Sequence, residues 1–76
     1  MARTILGREL QTWEAYATTG RYGFSEPARL VFRCLSDRSM RARALDAGEK
    51  SDAERLVVRS SDDELRDLLD EARPVD

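Results

Sequence analysis

A chain with one cysteine and no histidine has few ways of reinforcing a small hydrophobic core. At 76 residues, it buries only about 60% of the surface that its unfolded form exposes, so the core is marginal. Cys34 has no second thiol for a disulfide, and no histidine can complete a structural zinc site. Oligomerisation is the remaining usual means of stabilisation. We therefore expect an obligate homodimer, or a chain that folds fully on a partner.

The same composition argues against an enzyme. Without histidine, the Ser-His-Asp, Cys-His and His-rich zinc arrangements are absent. Carboxylates are plentiful, but so small a body offers no deep cleft that would shift their pKa values. We predict no catalytic residues, no metal, no cofactor and no small-molecule substrate.

The N-terminal segment does not have the pattern of a signal peptide. Its apolar run after Met1 is limited to Ile5 and Leu6, and charges follow at Arg8 and Glu9. No stretch approaches the ~20 apolar residues of a membrane span. The sequence therefore predicts a cytoplasmic protein without a membrane partner.

The net charge of −2 conceals two halves of opposite sign. Residues 1–43 carry eight arginines against four acids, whereas residues 44–76 carry five basic residues against eleven acids. Such asymmetry is typical of a nucleic-acid-facing half joined to an acidic interaction tail. Charged helix faces that cluster by chance are the simpler explanation.

The hydrophobic pattern predicts a mostly α fold with a short N-terminal strand. Residues 3–6 form the strand, which we expect to pair with a second copy of itself, because an unpaired strand edge is a pairing surface. One helix is predicted from Arg8 to Thr18 and a second from Glu26 to Arg43. The apolar faces of these elements are assigned to a dimer core of Leu6, Leu10, Trp13, Ala28, Val31, Phe32 and Leu35.

The polar break at 48–52 divides a body, residues 1–47, from an acidic tail, residues 48–76. Within the tail, 53–58 is ambiguous. Ser61 is a good N-cap for a helix over about 62–73, with acids in its first turn. This helix either docks on its own body or becomes ordered in the groove of a partner. The charge split favours the partner.

Three segments together resemble the ParD family of type II antitoxins, which are ribbon-helix-helix proteins. They are the strand end Ile5-Leu6-Gly7, the turn Gly20-Arg21-Tyr22-Gly23, and the segment of residues 25–38 that begins Ser25-Glu26-Pro27-Ala28-Arg29. The resemblance covers residues 4–38, about half of the chain. It implies a ribbon-helix-helix dimer with an acidic C-terminal helical tail.

This resemblance implies two binding surfaces. In the ParD arrangement, paired N-terminal strands enter the DNA major groove, and the start of the second helix binds phosphate. The implied operator-DNA contacts are Arg3, Ile5, Arg21, Ser25 and Arg29. The tail would neutralise a ParE-like toxin through apolar anchors and acidic residues. These are Leu65, Leu68, Leu69, Asp62, Asp63, Glu64 and Asp67.

The function predicted on this basis is an antitoxin that also represses its own operon. Pro27 and the weak strand pattern leave open a protein-only antitoxin that does not recognise DNA. A stand-alone ribbon-helix-helix repressor, with a tail that only promotes solubility, is the third alternative.

Overall fold

The chain folds as a five-stranded antiparallel sheet with two helices packed on one of its faces. The computed structural model describes residues 2–18 and 28–75. The strands run in sequence order across the sheet, so each strand pairs with the next. In chain order the elements are β1 (Ala2–Leu6), β2 (Thr12–Thr18), β3 (Arg29–Cys34), β4 (Arg43–Asp46), α1 (Lys50–Arg59), α2 (Asp62–Glu71) and β5 (Arg73–Pro74).

The prediction of a mostly α, ribbon-helix-helix fold is wrong, and the first predicted helix shows why. Strand β2 occupies most of the range 8–18. Leu6, Leu10, Trp13 and Ala17 fit a helical period, but Trp13, Ala15 and Ala17 also fit the period of two of a strand. Aromatic and β-branched residues make up more than half of β2 and favour the strand.

The second predicted helix, 26–43, is also wrong where the structure describes it. Residues 28–43 contain β3, a turn and the start of β4, while Glu26 and Pro27 lie outside the described residues. Leu30, Val31 and Phe32 are consecutive and all buried. A short apolar run of this kind suits a central strand as well as a helix, and its β-branched and aromatic members favour the strand.

The hydrophobic core lies between the helices and one face of the sheet. Alternate strand residues Ile5, Trp13, Ala15, Phe32 and Cys34 are at most 6% exposed, and the register places them side by side across β1, β2 and β3. From the helices and the residue after them, the core receives Val57, Leu65, Leu69 and Ala72. The basic half and the acidic half of the sequence therefore contribute side chains to the same core.

Arg3 joins β1 to the corner between the two helices. Its guanidinium donates hydrogen bonds to the Val57 carbonyl at 3.1 Å and to the Ser60 carbonyl, and it pairs with Asp62 at 2.5 Å. The last carbonyls of a helix have no partner within the helix. Arg3 supplies donors to them and fixes the end of α1 against the edge of the sheet.

Helix α2 begins where the sequence predicts. Ser61 is its N-cap, and a capping box joins Ser61 to Glu64 through bonds of 3.1 and 2.9 Å. The ambiguous segment 53–58 lies within α1. Leu65 and Leu69 face the sheet, so α2 docks on its own body in this structure. Within the described residues, neither helix is long and apolar enough to cross a membrane.

Truncation of the core in α2 should destabilise the fold severely. Leu65 is fully buried, and Leu65→Ala should lower the free energy of unfolding by about 2–5 kcal/mol. Urea denaturation followed by Trp13 fluorescence measures this change. Val58→Ala is the matched control, because Val58 is 51% exposed and its loss should cost under about 0.5 kcal/mol. Equal effects of the two substitutions would contradict this packing.

The capping box should make part of the stability depend on pH. Hydrogen bonds from the Ser61 backbone N–H and the Ser61 side chain hold the pKa of Glu64 below its ordinary value of 4.5. A lowered folded-state pKa stabilises the fold above pH 4.5, and this contribution is lost as the pH falls through the folded-state value. The stability difference between wild type and Glu64→Gln should therefore shrink on acidification.

Thermal unfolding between neutral pH and about pH 3 measures this difference. Glu71→Gln is the control, since it removes a carboxylate from the same helix without altering a cap. A constant gap between wild type and Glu64→Gln across the acidic range would refute the role of the Glu64 carboxylate.

Candidate binding surface

Three exposed leucines mark one corner of the sheet. Leu6 ends β1, Leu10 lies in the turn between β1 and β2, and Leu35 follows β3. Their exposed fractions are 46%, 78% and 43%, and Val58 is the only other large hydrophobic residue exposed in the described part of the chain. We call Leu6, Leu10 and Leu35 the leucine corner.

The strand register brings two of these leucines into one row. Leu6 is opposite Thr12 in the β1–β2 pair, and the Leu35 N–H donates to the Thr12 carbonyl at 2.8 Å. Strand residues alternate between faces, so this row lies on the face of the sheet opposite the helices. The two side chains flank Thr12 with no covering element among the described residues.

Leu10 is held in an unusual backbone conformation. Its φ is 66°, which lies in the left-handed region that residues other than Gly, Asn and Asp rarely adopt. Two hydrogen bonds close the turn, from Gly7 N–H to the Gln11 carbonyl at 2.7 Å and from Leu10 N–H to the Gly7 carbonyl at 3.0 Å. The turn therefore presents an apolar side chain to solvent at a strained position.

The predicted dimer core divides into two groups. Trp13, Ala28, Val31 and Phe32 are buried within the single chain. The other three members, Leu6, Leu10 and Leu35, are the leucine corner. Sequence reasoning recognised them as apolar contact residues but assigned them to a helical dimer interface that does not form, because this region is a sheet.

The predicted DNA contacts do not share a surface. Ile5 is 2% exposed in the core, and Arg3 is engaged at the α1–α2 corner. Arg29 lies on the opposite face of the sheet, 3.7 Å from Asp46. Arg21 and Ser25 lie outside the described residues. Strand β1 pairs with β2 of its own chain, so β1 and β2 form an intramolecular ladder where the prediction had a two-chain ribbon.

The predicted toxin contacts lie on opposite sides of α2. Leu65 and Leu69 are buried in the core and Leu68 is half-buried against it. The acidic side chains are exposed, but each has a partner within the chain. Asp62 pairs with Arg3, Asp63 with Arg66, Glu64 with the Ser61 N–H, and Asp67 with Arg8 at 2.6 Å.

The charge split of the sequence becomes a split between layers. Helices α1 and α2 carry eight acidic and four basic residues, whereas the five strands carry two acidic and five basic residues. Ion pairs connect the layers: Arg8 in the β1–β2 turn reaches both Asp67 and Asp70 of α2. These pairs raise the pKa of Arg8 above its ordinary value, with Asp70 the largest cause.

Nucleophilic and metal-binding groups are few in the described residues. The Cys34 thiol is buried, with Ser36 Oγ at 3.7 Å. Residues 2–18 and 28–75 contain no group of three or more Cys, Asp or Glu side chains able to hold a metal ion.

Sequence reasoning missed three contributors to this region: the exposure of Leu10, the double ion pair of Arg8, and Arg66, which donates to the Leu6 carbonyl at 2.6 Å. The spacing Gly7…Gln11 between two β-branched and aromatic segments was the available signal for the turn. The distant partners of Arg8 and Arg66 had no local signal, because they depend on how α2 crosses the sheet.

No family model, no curated protein and no solved structure matches this chain. The resemblance to the ParD family accordingly finds no support in these comparisons. The function proposed for the chain therefore rests on its fold and its exposed surfaces.

The strain at Leu10 should reverse the usual order of Ala and Gly substitutions. In ordinary positions Gly is about 0.5–1 kcal/mol less stabilising than Ala. Because φ is positive at Leu10, Leu10→Gly should be more stable than Leu10→Ala by about 1 kcal/mol. Urea denaturation of both variants measures the difference, and the same pair of substitutions at Glu9 provides the control. A more stable alanine variant would contradict the left-handed turn.

Proposed function

We propose that this chain is a protein-binding module that holds its partner through the leucine corner. The observation that carries the proposal is that three exposed leucines, Leu6, Leu10 and Leu35, lie at the same end of strands β1 to β3, with Leu10 at positive φ. Clustered apolar side chains exposed on a small protein mark interaction sites. Backbone strain that persists at an exposed apolar residue supports the same interpretation.

The corner has the composition of a small contact site. Its three leucines supply apolar anchors, and next to Leu35 lies the Ser36 hydroxyl, which accepts from the Thr12 N–H at 3.0 Å. Anchors of this kind carry most of the energy of an interface, while a polar rim excludes water. The partner we propose is therefore a folded protein with an apolar pocket or groove.

Neutralisation of a basic, ParE-like toxin stays a second candidate within the same class. The exposed carboxylates of α2 favour it, because they form the acidic side of the molecule. In this candidate the acids make the contact, since Leu65 and Leu69 are occupied by the core. We propose neither operator binding nor a stand-alone ribbon-helix-helix repressor. Both depend on the ribbon-helix-helix fold, which the chain does not have.

Site-specific photo-crosslinking, in the cells that naturally produce the protein, shows which of the two surfaces contacts the partner. A benzoylphenylalanine at position 10 reports on the leucine corner, and one at position 63 reports on the exposed face of α2. Position 58 is the control, because Val58 is exposed on α1, away from the corner. We expect one adduct protein, identified by mass spectrometry, from position 10 and none from position 58.

The partner identified in this way is then purified and its affinity measured by calorimetry. Leu10→Ser and Leu35→Ser should each weaken binding about tenfold or more, which is about 1.4 kcal/mol, while Val58→Ser should leave it unchanged. Adducts from position 63 alone would favour the toxin candidate and overturn the corner. Absence of any adduct at position 10, or equal adducts at 58, would also overturn it.

A further inference from the structure

Strand β1 forms one border of the sheet, and its outward-facing backbone groups have no strand partner among the described residues. Gly7 N–H bonds to the Gln11 carbonyl, so Gly7 faces β2. Neighbouring residues of a strand bond in opposite directions, which turns the backbone groups of Ala2, Thr4 and Leu6 outward. The bond from Arg66 to the Leu6 carbonyl, made from outside the ladder, agrees with this assignment.

The two borders of the sheet are protected to different degrees. Strand β5 has two residues, Arg73 and Pro74, and short edge strands that contain proline resist pairing with other chains. Strand β1 has five residues without proline. The side chains of its outward-bonding residues are those of Ala2, Thr4 and Leu6, and none is charged. Among the described strands, β1 is the one that retains a competent pairing edge.

We infer that this edge pairs with β1 of a second copy of the chain, antiparallel and centred on Thr4. A twofold axis at this residue places Thr4 opposite Thr4 of the partner subunit, and Ala2 opposite Leu6 of the partner subunit. Both are pairs of outward-bonding residues, so each exchanges two backbone hydrogen bonds. The two sheets become one continuous sheet, with the helices of both copies on the same side.

The side chains near the edge suit a second copy. Thr–Thr pairs across antiparallel strands are favourable, and the half-exposed Leu6 side chain gains Ala2 of the partner subunit as its neighbour. The charges beside β1 are of both signs, with Arg3, Arg8 and Arg66 against Asp62, Asp63, Asp67 and Asp70. Two like surfaces with nearly balanced charge meet without large repulsion.

Arg66 limits this pairing without abolishing it. Its guanidinium occupies one lone pair of the Leu6 carbonyl, and a carbonyl oxygen has two. Within residues 2–18 and 28–75, no side chain makes a bond of this kind to the backbone of Thr4 at the centre of the edge. A chain of this length is expected to have a marginal core, and such small domains gain stability from association. This gain favours formation of the dimer.

The test is the mass of the purified full-length chain in sedimentation equilibrium, from about 1 µM to about 1 mM. We expect twice the monomer mass of 8.7 kDa at the upper concentrations. Thr4→Pro removes an N–H that faces away from β2, so the ladder within the chain is kept, and the dissociation constant should rise at least about tenfold. Thr4→Val is the matched control and should dimerise like wild type.

Further variants keep the result interpretable. If Trp13 fluorescence shows Thr4→Pro to be unfolded, Thr4→Lys replaces it, because like charges at the twofold axis oppose pairing. Leu10→Ser should leave the dimer intact, which separates this inference from the function proposed for the leucine corner. A monomer at all concentrations would overturn the inference. So would a dimer that forms equally well in folded Thr4→Pro or Thr4→Lys.

Discussion

Val57 of α1 and Leu65 of α2 lie fully buried in one cluster with Leu30 and Phe32 of β3. A chain this short has material for one such cluster, because its ratio of surface to volume is high. The helix pair therefore covers a single face of the sheet. Arg3 fixes where that pair sits, since it bonds to the carbonyls at the end of α1 and to Asp62 at the start of α2. The remaining surfaces are set by this arrangement.

With the helices packed on one face, the outer side of the helices and the borders and ends of the sheet are available for contacts. The covered side is acidic because both helices expose carboxylates, and the ion pairs of Arg3 and Arg8 bind that layer to the sheet. Solvent screens exposed pairs of this type, so their contribution is mainly orientation. The exposed leucines of the leucine corner lie at one end of the sheet, beside the edge of β1.

The sequence was sufficient for local features and insufficient for long-range ones. The capping box of Ser61 and Glu64 is encoded within four residues, and α2 starts at the predicted position. The secondary structure predicted for the N-terminal half was wrong because its apolar residues fit two periods. Trp13, Ala15 and Ala17 fit the period of a strand, while Leu10, Trp13 and Ala17 fit that of a helix. Pairing between strands distant along the chain decided the outcome, and no window of local sequence contains that information. The candidate site was half predicted: its leucines were recognised as contact residues, but their exposure depends on the sheet.

The leucine corner owes its geometry to the same core that supports the fold. Gly7 is buried beside Trp13, and a Cβ atom at Gly7 would stand 2.9 Å from Trp13 Nε1, so the turn packs directly on the indole. The Arg43 guanidinium lies over the same indole, 5.7 Å from the ring centroid. A strained residue persists only where its surroundings fix it, and here the buried Gly7–Trp13 contact and the two turn hydrogen bonds fix Leu10. The stability of the core thus maintains an exposed leucine in a conformation that the isolated turn would avoid, which is the arrangement expected of a contact residue held ready for its partner.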